Sequence, residues 1–452
     1  MPSSCPNRRS LLRALGLGAV GWGAGGGFLP GSGWGPFAAA HADGLRARHK
    51  ACILLWMQGG PSQFETFSPL PEHPNGGGTA AIATAVPGIR FAEHWPEAAA
   101  VADRLAVIRS MTSKEGSHPR ATHLLHTGYL PIPGVRHPTL GSIVASQLAT
   151  VATVATGATV ATGATSATSA TSATSDCGAD LPPVVRIGAR GRADSGAGIL
   201  GMAWEPFEIR DPDQPPANTT ALVPAARHER RLDLAARLEG GFADRLPQEA
   251  ADHRALRERA SRLIHSPAME AFDLDGETDA ARALYGEGDF ASGCLLARRL
   301  VERGVSFVEV VCDGWDTHAD NADQTARLAG RVDRPFAALV RDLGDRGLLD
   351  DTLLIWMGEF GRTPQVNPRG GRDHFPRSFN AVLGGGGVRG GRVVGATDSR
   401  GVDILERPVT VPDLFSTFCH ALGIDPSVET VAPSGRPVRL VDGGEPVREL
   451  FG

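Results

Sequence analysis

KACILLWM, residues 50–57, followed by Gln58-Gly59-Gly60-Pro61-Ser62, is the stretch on which the fold reading turns. After Lys50 the run is apolar without interruption and without polar alternation. A helix surface or a half-exposed strand would alternate, so this pattern predicts a strand buried on both faces, of the kind found inside a parallel sheet. The Gly-Gly-Pro turn ends it abruptly. Working outward, similar runs recur. Leu105 to Arg109 (LAVIR), Pro183 to Ile187, Gly304 to Val311 (GVSFVEVV), Thr352 to Met357 (TLLIWM) and Phe379 to Leu383 all read as strands. Helical patterns lie between them: a charged, Ala/Leu-rich stretch from Arg227 to Ile264, Gly293 to Arg303 leading straight into its strand, and an amphipathic segment from Asn321 to Leu343. Strands alternating with helices predict an α/β fold with a largely parallel central sheet flanked by helices.

The chain has 452 residues, a formal net charge of −5 and 42% hydrophobic residues. That supports a sizeable core and gives no reason to expect a nucleic-acid partner. The cysteines (5, 52, 177, 294, 312 and 419) are scattered, with no CxxC pair to suggest a zinc ribbon or a disulfide framework. At the N-terminus, Asn7-Arg8-Arg9-Ser10-Leu11-Leu12-Arg13 is a twin-arginine pattern, followed by a Gly-rich apolar stretch and by Ala40-His41-Ala42, a small-x-small cleavage site. The expected organisation is therefore a twin-arginine signal peptide over 1–42, read by the twin-arginine export machinery, and an α/β domain over 43–452 in the periplasm or secreted. No transmembrane segment is expected after cleavage, since glycines interrupt the apolar run. The Ala/Thr/Ser tract at 150–175 is low-complexity, without charge or large side chains, and reads as an insertion in a surface loop. Gly385-x-Gly387-x-x-Gly390 has the spacing of a dinucleotide fingerprint, but Arg392-Val393-Val394 after it looks like a strand, so a hairpin is expected there.

In open α/β sheets, ligand groups collect beyond the carboxyl ends of the strands. The first strand leads to Glu65. The strand ending at Val311 leads to Asp316 and His318, the one ending at Met357 leads to Glu359, and the Gly-rich loop beyond carries Asp373 and His374. Neutral imidazoles and carboxylates converging at strand ends are what a divalent cation needs. Such a set suits Zn, and a carboxylate-heavier one also suits Ca, Mg or Mn. Taken singly, each residue has an ordinary structural use: Asp316 as a helix cap, Glu359 as a surface partner of Arg362, Asp373 and His374 as loop polar residues. A further group follows the second strand. Ser117 stands at a helix N-terminus, where amides and the dipole favour an anion, and Arg120 adds a forked donor for phosphate or sulfate. Ser117 could equally be a plain N-cap with Pro119 in the first turn. His123 and His126, three apart on one helical face, read as core histidines or extra ligands.

At these residues the sequence resembles the DUF1501 family, which belongs with the alkaline-phosphatase/sulfatase superfamily. The resemblance is carried by LLWMQGGPSQFETF (54–67), GSHPRATHLLHTGYLP (116–131), GILGMAWEPF (198–207), AFDLDGE (271–277), CLLARRLVERGVSFVEV (294–310), GWDTH (314–318), GEFGRTP (358–364) and GGRDHFPRSFNAVLGGGGVRGGRVVGATD (370–398). SHPRATHLLHTGYLP also looks like the sulfatase helix that begins with the nucleophile, and VPDLFSTFCHALGID (411–425) like a late segment of that superfamily. The resemblance implies a metallohydrolase fold. Asp316 and His318 match the mid-chain metal-binding pair, Glu359 stands where an Asp-His pair is usual, and His374, with Asp373 beside it, matches the late metal-binding His. Three positions depart from the pattern. Gln58 stands where the first strand normally ends in a metal-binding Asp, the nearest carboxylate being Glu65. Ser117 is one residue out of register for the nucleophile, so His118 competes for that place. Phe360 replaces the usual His.

Two functions follow as expectations. One is an exported metal-dependent hydrolase of phosphate or sulfate esters, small-molecule or glycan. Glu65, Asp316, His318, Glu359, Asp373 and His374 would hold a divalent metal ion, and Ser117, His118 and Arg120 would lie at the reacting ester, with Ser117, His118 or water attacking. The other is a non-catalytic envelope protein with a degenerate metallohydrolase fold that binds an anionic glycan or a partner protein.

Overall fold

The computed structural model describes residues 50–155, 180–188, 196–219, 222–432 and 435–452. The expected signal peptide lies outside them, as does most of the low-complexity tract; its first residues, 150–155, complete the helix Leu140–Ala155.

The KACILLWM run forms β1 (Ala51–Gln58), and its residues are buried up to Met57. Ile53, Leu55 and Met57 enter one hydrophobic core, while Cys52, Leu54 and Trp56 enter another on the opposite face. This is why the sequence showed no alternation: both faces of the strand are covered. Burying each such side chain contributes about 1.5–3 kcal/mol. The other strands of this sheet are β2 (Leu105–Thr112), β3 (Val184–Ile187), β4 (Phe207–Ile209), β5 (Phe307–Asp313), β6 (Thr352–Met357), β7 (Phe379–Gly384), β8 (Arg392–Val394) and β9 (Val409–Thr410). The nine-stranded sheet runs β8-β2-β7-β6-β1-β5-β3-β4, with β9 also pairing with β2. Its pairings are parallel except for those of β7, which runs antiparallel to both β2 and β6.

The helices of ten residues or more are α1 (His118–Thr127), α2 (Leu140–Ala155), α3 (Ala225–Leu238), α4 (Pro247–His265), α5 (Asp289–Glu302), α6 (Asn321–Asp345) and α7 (Val411–Leu422). On one face of the sheet, α5 and α6 supply Cys294, Leu296, Phe336 and Leu339. On the other, α1, α2 and α7 supply Leu125, Ile143, Leu414 and Phe418. Among the described residues no helix is long and apolar enough to cross a membrane.

Two sequence expectations need correction. The stretch from Arg227 to Ile264 is not one continuous helix: two long helices are separated by a single helical turn at Gly240–Ala243, because Gly240-Gly241 weakens the middle and Pro247 starts a new helix at its first turn. The glycines at 385–390 do not make a hairpin: β7 and β8 lie on opposite sides of β2 and do not pair with each other.

Candidate metal centre

The sheet brings β1, β2, β5 and β6 to one rim by their carboxyl ends, and antiparallel β7 begins at the same rim. β2 leads through Ser113–Ser117 to α1, whose first residue is His118. β5 leads to Asp316 and His318, and β6 to Glu359. His374–Phe375 pairs antiparallel with Gly361–Arg362, which fixes His374 opposite Arg362. The turn after β1 passes very close to the Asp316 loop. Gly59 has φ +117, and a Cβ there would stand 2.4 Å from the Asp316 amide nitrogen, so this position requires glycine. The close approach lets the Gly59 N–H donate to Glu359 Oε1 at 3.0 Å.

His118, Asp316 and His374 each offer one ligand atom, and these atoms lie within 4.8 Å of one another. Asp316 Oδ1 is the hub, 3.3 Å from His118 Nε2, 3.1 Å from His318 Nε2 and 3.4 Å from His374 Nε2. His318 Nε2 also lies 3.0 Å from His374 Nε2. The opposite nitrogen of every ring is held by an acceptor: His118 Nδ1 by Glu359 Oε1 at 2.6 Å, His318 Nδ1 by Asp373 Oδ1 at 2.9 Å, and His374 Nδ1 by the Gly116 carbonyl at 2.7 Å. Those bonds hold each ring at Nδ1 and leave Nε2 on the side of Asp316 Oδ1, the second-layer arrangement that orients metal-binding imidazoles. His118 Nε2 is buried without a hydrogen-bond partner. Two imidazole nitrogens and a carboxylate oxygen, with His318 Nε2 alongside, form a donor set suited to Zn. The residues present fit a divalent cation.

Charge is balanced around this spot. The buried guanidinium of Arg362 donates to Asp316 Oδ1 at 2.6 Å and also to the carbonyls of Gly60, Arg372 and Trp315. Burial alone would raise the Asp316 pKa, but Arg362, with His118 and His318, holds it down at about 2. Burial lowers the pKa of His374, and the neighbouring positive charges of His118 and Arg362 add to that, favouring the neutral, ligating ring. For His118, burial acts downward, yet the hydrogen bond and charge of Glu359 and the charge of Asp316 raise it. Phe360 packs its ring against His118 and His374, with centroids 4.8 and 4.5 Å away.

Not every expected residue joins the cluster. Glu65 is corrected out of it: its buried carboxylate takes both Nε and Nη2 of Arg372, at 3.0 and 2.7 Å. Glu359 and Asp373 sit behind the histidines and orient them, each taking a ring N–H on one carboxylate oxygen. Ser117 is exposed, caps α1 by position without a side-chain hydrogen bond, and does not line the adjoining cavity. Arg120 is turned back onto Glu115 with two bonds of 2.8 Å. His118, expected at the reacting ester, lies among the ligand atoms instead. Arg362 was legible only as a surface partner of Glu359; it is buried and paired with Asp316, and no sequence signal distinguishes the two. His126 is buried, edge-on to Trp56 and bonded to Glu309.

A cavity of about 780 Å³ adjoins the cluster, with Gln58, His118, Asp316 and Glu359 at one end and Arg186, Arg210 and Glu309 among its other lining residues. That is the size range of a small-molecule site.

A family profile described as "Protein of unknown function (DUF1501)" matches residues 49–451. The chain belongs to the DUF1501 family. Among curated proteins none matches it. Solved structures similar to this DUF1501 protein include the PsFucS1 sulfatase from Pseudoalteromonas sp., with TM-score 0.37 and 13% identity over 88% of this chain and 73% of that one. Another is the phosphonate monoester hydrolase of Agrobacterium radiobacter, with TM-score 0.36 and 12% identity over 89% and 77%. A third is the C-terminal periplasmic domain of EcEptC from Escherichia coli in complex with Zn, with TM-score 0.34 and 9% identity over 89% and 95%. Likeness at this level tells nothing of what the DUF1501 protein binds or turns over.

Proposed function

We propose that this DUF1501 protein is an exported metal-dependent hydrolase of phosphate or sulfate esters, small-molecule or glycan. One observation carries the proposal: His118 and His374 are each gripped at Nδ1 and bring Nε2, together with Asp316 Oδ1, to one spot at the mouth of a polar cavity, with His318 Nε2 beside Asp316 and His374. His318 Nε2 stands 3.0 Å from His374 Nε2 at the same place. A divalent cation there would polarise an ester oxygen as a Lewis acid and lower the pKa of water.

The chain's own residues divide the work. His118, Asp316, His318 and His374 hold the cation. Glu359, Asp373 and the Gly116 carbonyl fix the ring orientations. Arg362 holds Asp316 in place. The cavity beside His118 takes the rest of the ester and excludes bulk water. Water is the attacking group, since Ser117 does not line the cavity and the His118 lone pair is committed to the cluster. Export is supported by the twin-arginine pattern at Asn7–Arg13.

The test is turnover of a panel of aryl phosphate, phosphonate and sulfate esters by the mature protein loaded with Zn, Mn, Ca or Mg. Turnover is expected, falling at least about 100-fold in Asp316→Ala and staying within about threefold in Ser117→Ala. Full occupancy by each of these cations with no ester hydrolysed overturns the proposal.

A further inference from the structure

The cavity continues well past the metal centre, and α1 forms one wall of it: His118, Thr122 and His126 all line the space. Positions 118 and 126 are eight residues apart on the helix, so the two ends of this wall are separated by about 12 Å. At the far end stands Arg186 of β3, in sheet register with Glu309 of β5 and Glu208 of β4.

Arg186 is 9% exposed. Its Nε donates to Glu309 Oε1 at 3.3 Å. The same oxygen accepts from His126 Nε2 at 3.1 Å, and His126 Nδ1 donates to the Thr122 carbonyl at 2.9 Å. Glu309 therefore fixes the inner edge of the guanidinium, while Nη1 is buried with no acceptor among the described residues. A buried charged donor left unsatisfied is destabilising, and a wall position that keeps one points to a ligand acceptor. Arg136 and Arg210 line the same cavity from exposed positions. Of the facing acids, Glu205 is turned to the Ala197 amide at 2.8 Å. Glu208 is exposed on the edge strand, and among the described residues the ion pair of Arg186 is with Glu309.

We infer that Arg186, with Arg136 and Arg210, forms a second subsite that takes an oxyanion group (carboxylate, sulfate or phosphate) on the part of the substrate that is not cleaved. A planar fork with its inner edge already anchored is suited to such a group. The substrate class is then a bis-anionic ester, its second anion about 12 Å from the reacting one, the length of α1 between the two ends. The reacting end rests on the hydrolase proposal; the subsite itself needs no metal.

The experiment is calorimetric titration of the full chain, stripped of metal by chelation, with inorganic phosphate, sulfate or acetate. Saturable binding in the millimolar range is expected for at least one of them, and which one binds identifies the group. Arg186→Gln weakens it at least about tenfold. Arg210→Gln, at an exposed position that the fold does not need, weakens it at least about threefold with an unchanged unfolding midpoint, and Asp316→Ala leaves it unchanged. In metal-loaded protein a second, Asp316-dependent event adds to the first. Anion binding without any ester turnover removes the hydrolase proposal and leaves the subsite standing. No saturable binding of any of the three anions, binding undiminished in both arginine variants, or binding of glucose in their place overturns the subsite.

Discussion

Replacing Arg362 by Met tests how the rim is held together. The guanidinium is fully buried, and it serves loops from different strands at once: Nε to Gly60 O at 2.8 Å, Nη1 to Arg372 O at 3.1 Å, and Nη2 to Trp315 O at 3.2 Å, to Gly59 O and to Asp316 Oδ1 at 2.6 Å. Methionine fills part of the volume and supplies no donor, leaving buried carbonyls unpaired and Asp316 without its cation. Each orphaned acceptor costs about 1–3 kcal/mol, but the losses overlap as the loops relax, and breaking one partner out of a buried ion pair costs about 3–5 kcal/mol in all. The half-exposed side of Asp316 keeps the figure at the lower end, since solvent screens what remains of its charge. Urea unfolding followed by far-UV circular dichroism should show a loss of about 3–4 kcal/mol for Arg362→Met. Arg362→Lys should lie between the two, because an ammonium cannot reach that spread of acceptors. A loss under about 1 kcal/mol in Arg362→Met would refute the view that this residue ties the rim together.

Three further outcomes follow. Burial alone would raise the pKa of Glu309, but Arg186 and His126 hold it near 2, below the usual 4.5. Its contribution to stability is therefore complete above about pH 4.5 and lost as pH falls through 2, so the stability gap between wild type and Glu309→Gln should narrow over that window in pH-dependent unfolding. Gly59→Ala should destabilise by at least about 2 kcal/mol in the same assay and weaken zinc binding, since its Cβ must push the Asp316 backbone away. Glu359→Gln should lower zinc affinity about 10- to 100-fold while leaving every ligand atom in place, as read by competition with a chromophoric chelator; unchanged affinity would show that the His118 ring needs no orienting carboxylate.

The sheet was legible in the sequence because its central strands are buried on both faces, and uninterrupted runs such as KACILLWM and TLLIWM have no other comfortable place in an α/β fold. The order of strands was not, since β2 and β7 meet far from each other in sequence and nothing local encodes that pairing. At the rim, strand ends pointed to the right loops, but the division of labour within them depends on side-chain direction. Glu65 and Glu359 look alike in sequence as carboxylates just past a strand. One faces Arg372 and the other His118, a difference set by packing hundreds of residues away. His118 was harder still, because its role depends on α1 starting at that residue and not one earlier. Arg186 carried no signal: an arginine inside an apolar strand reads as an interruption until the cavity beside it is seen.

Zinc titration of the metal-stripped protein, read by calorimetry and checked by elemental analysis, addresses the centre itself. One cation per chain is the predicted result, with affinity falling at least about 100-fold when Asp316 and His374 are both replaced by alanine. Retention of no divalent cation by the wild-type chain, or equal retention by that double variant, would contradict it.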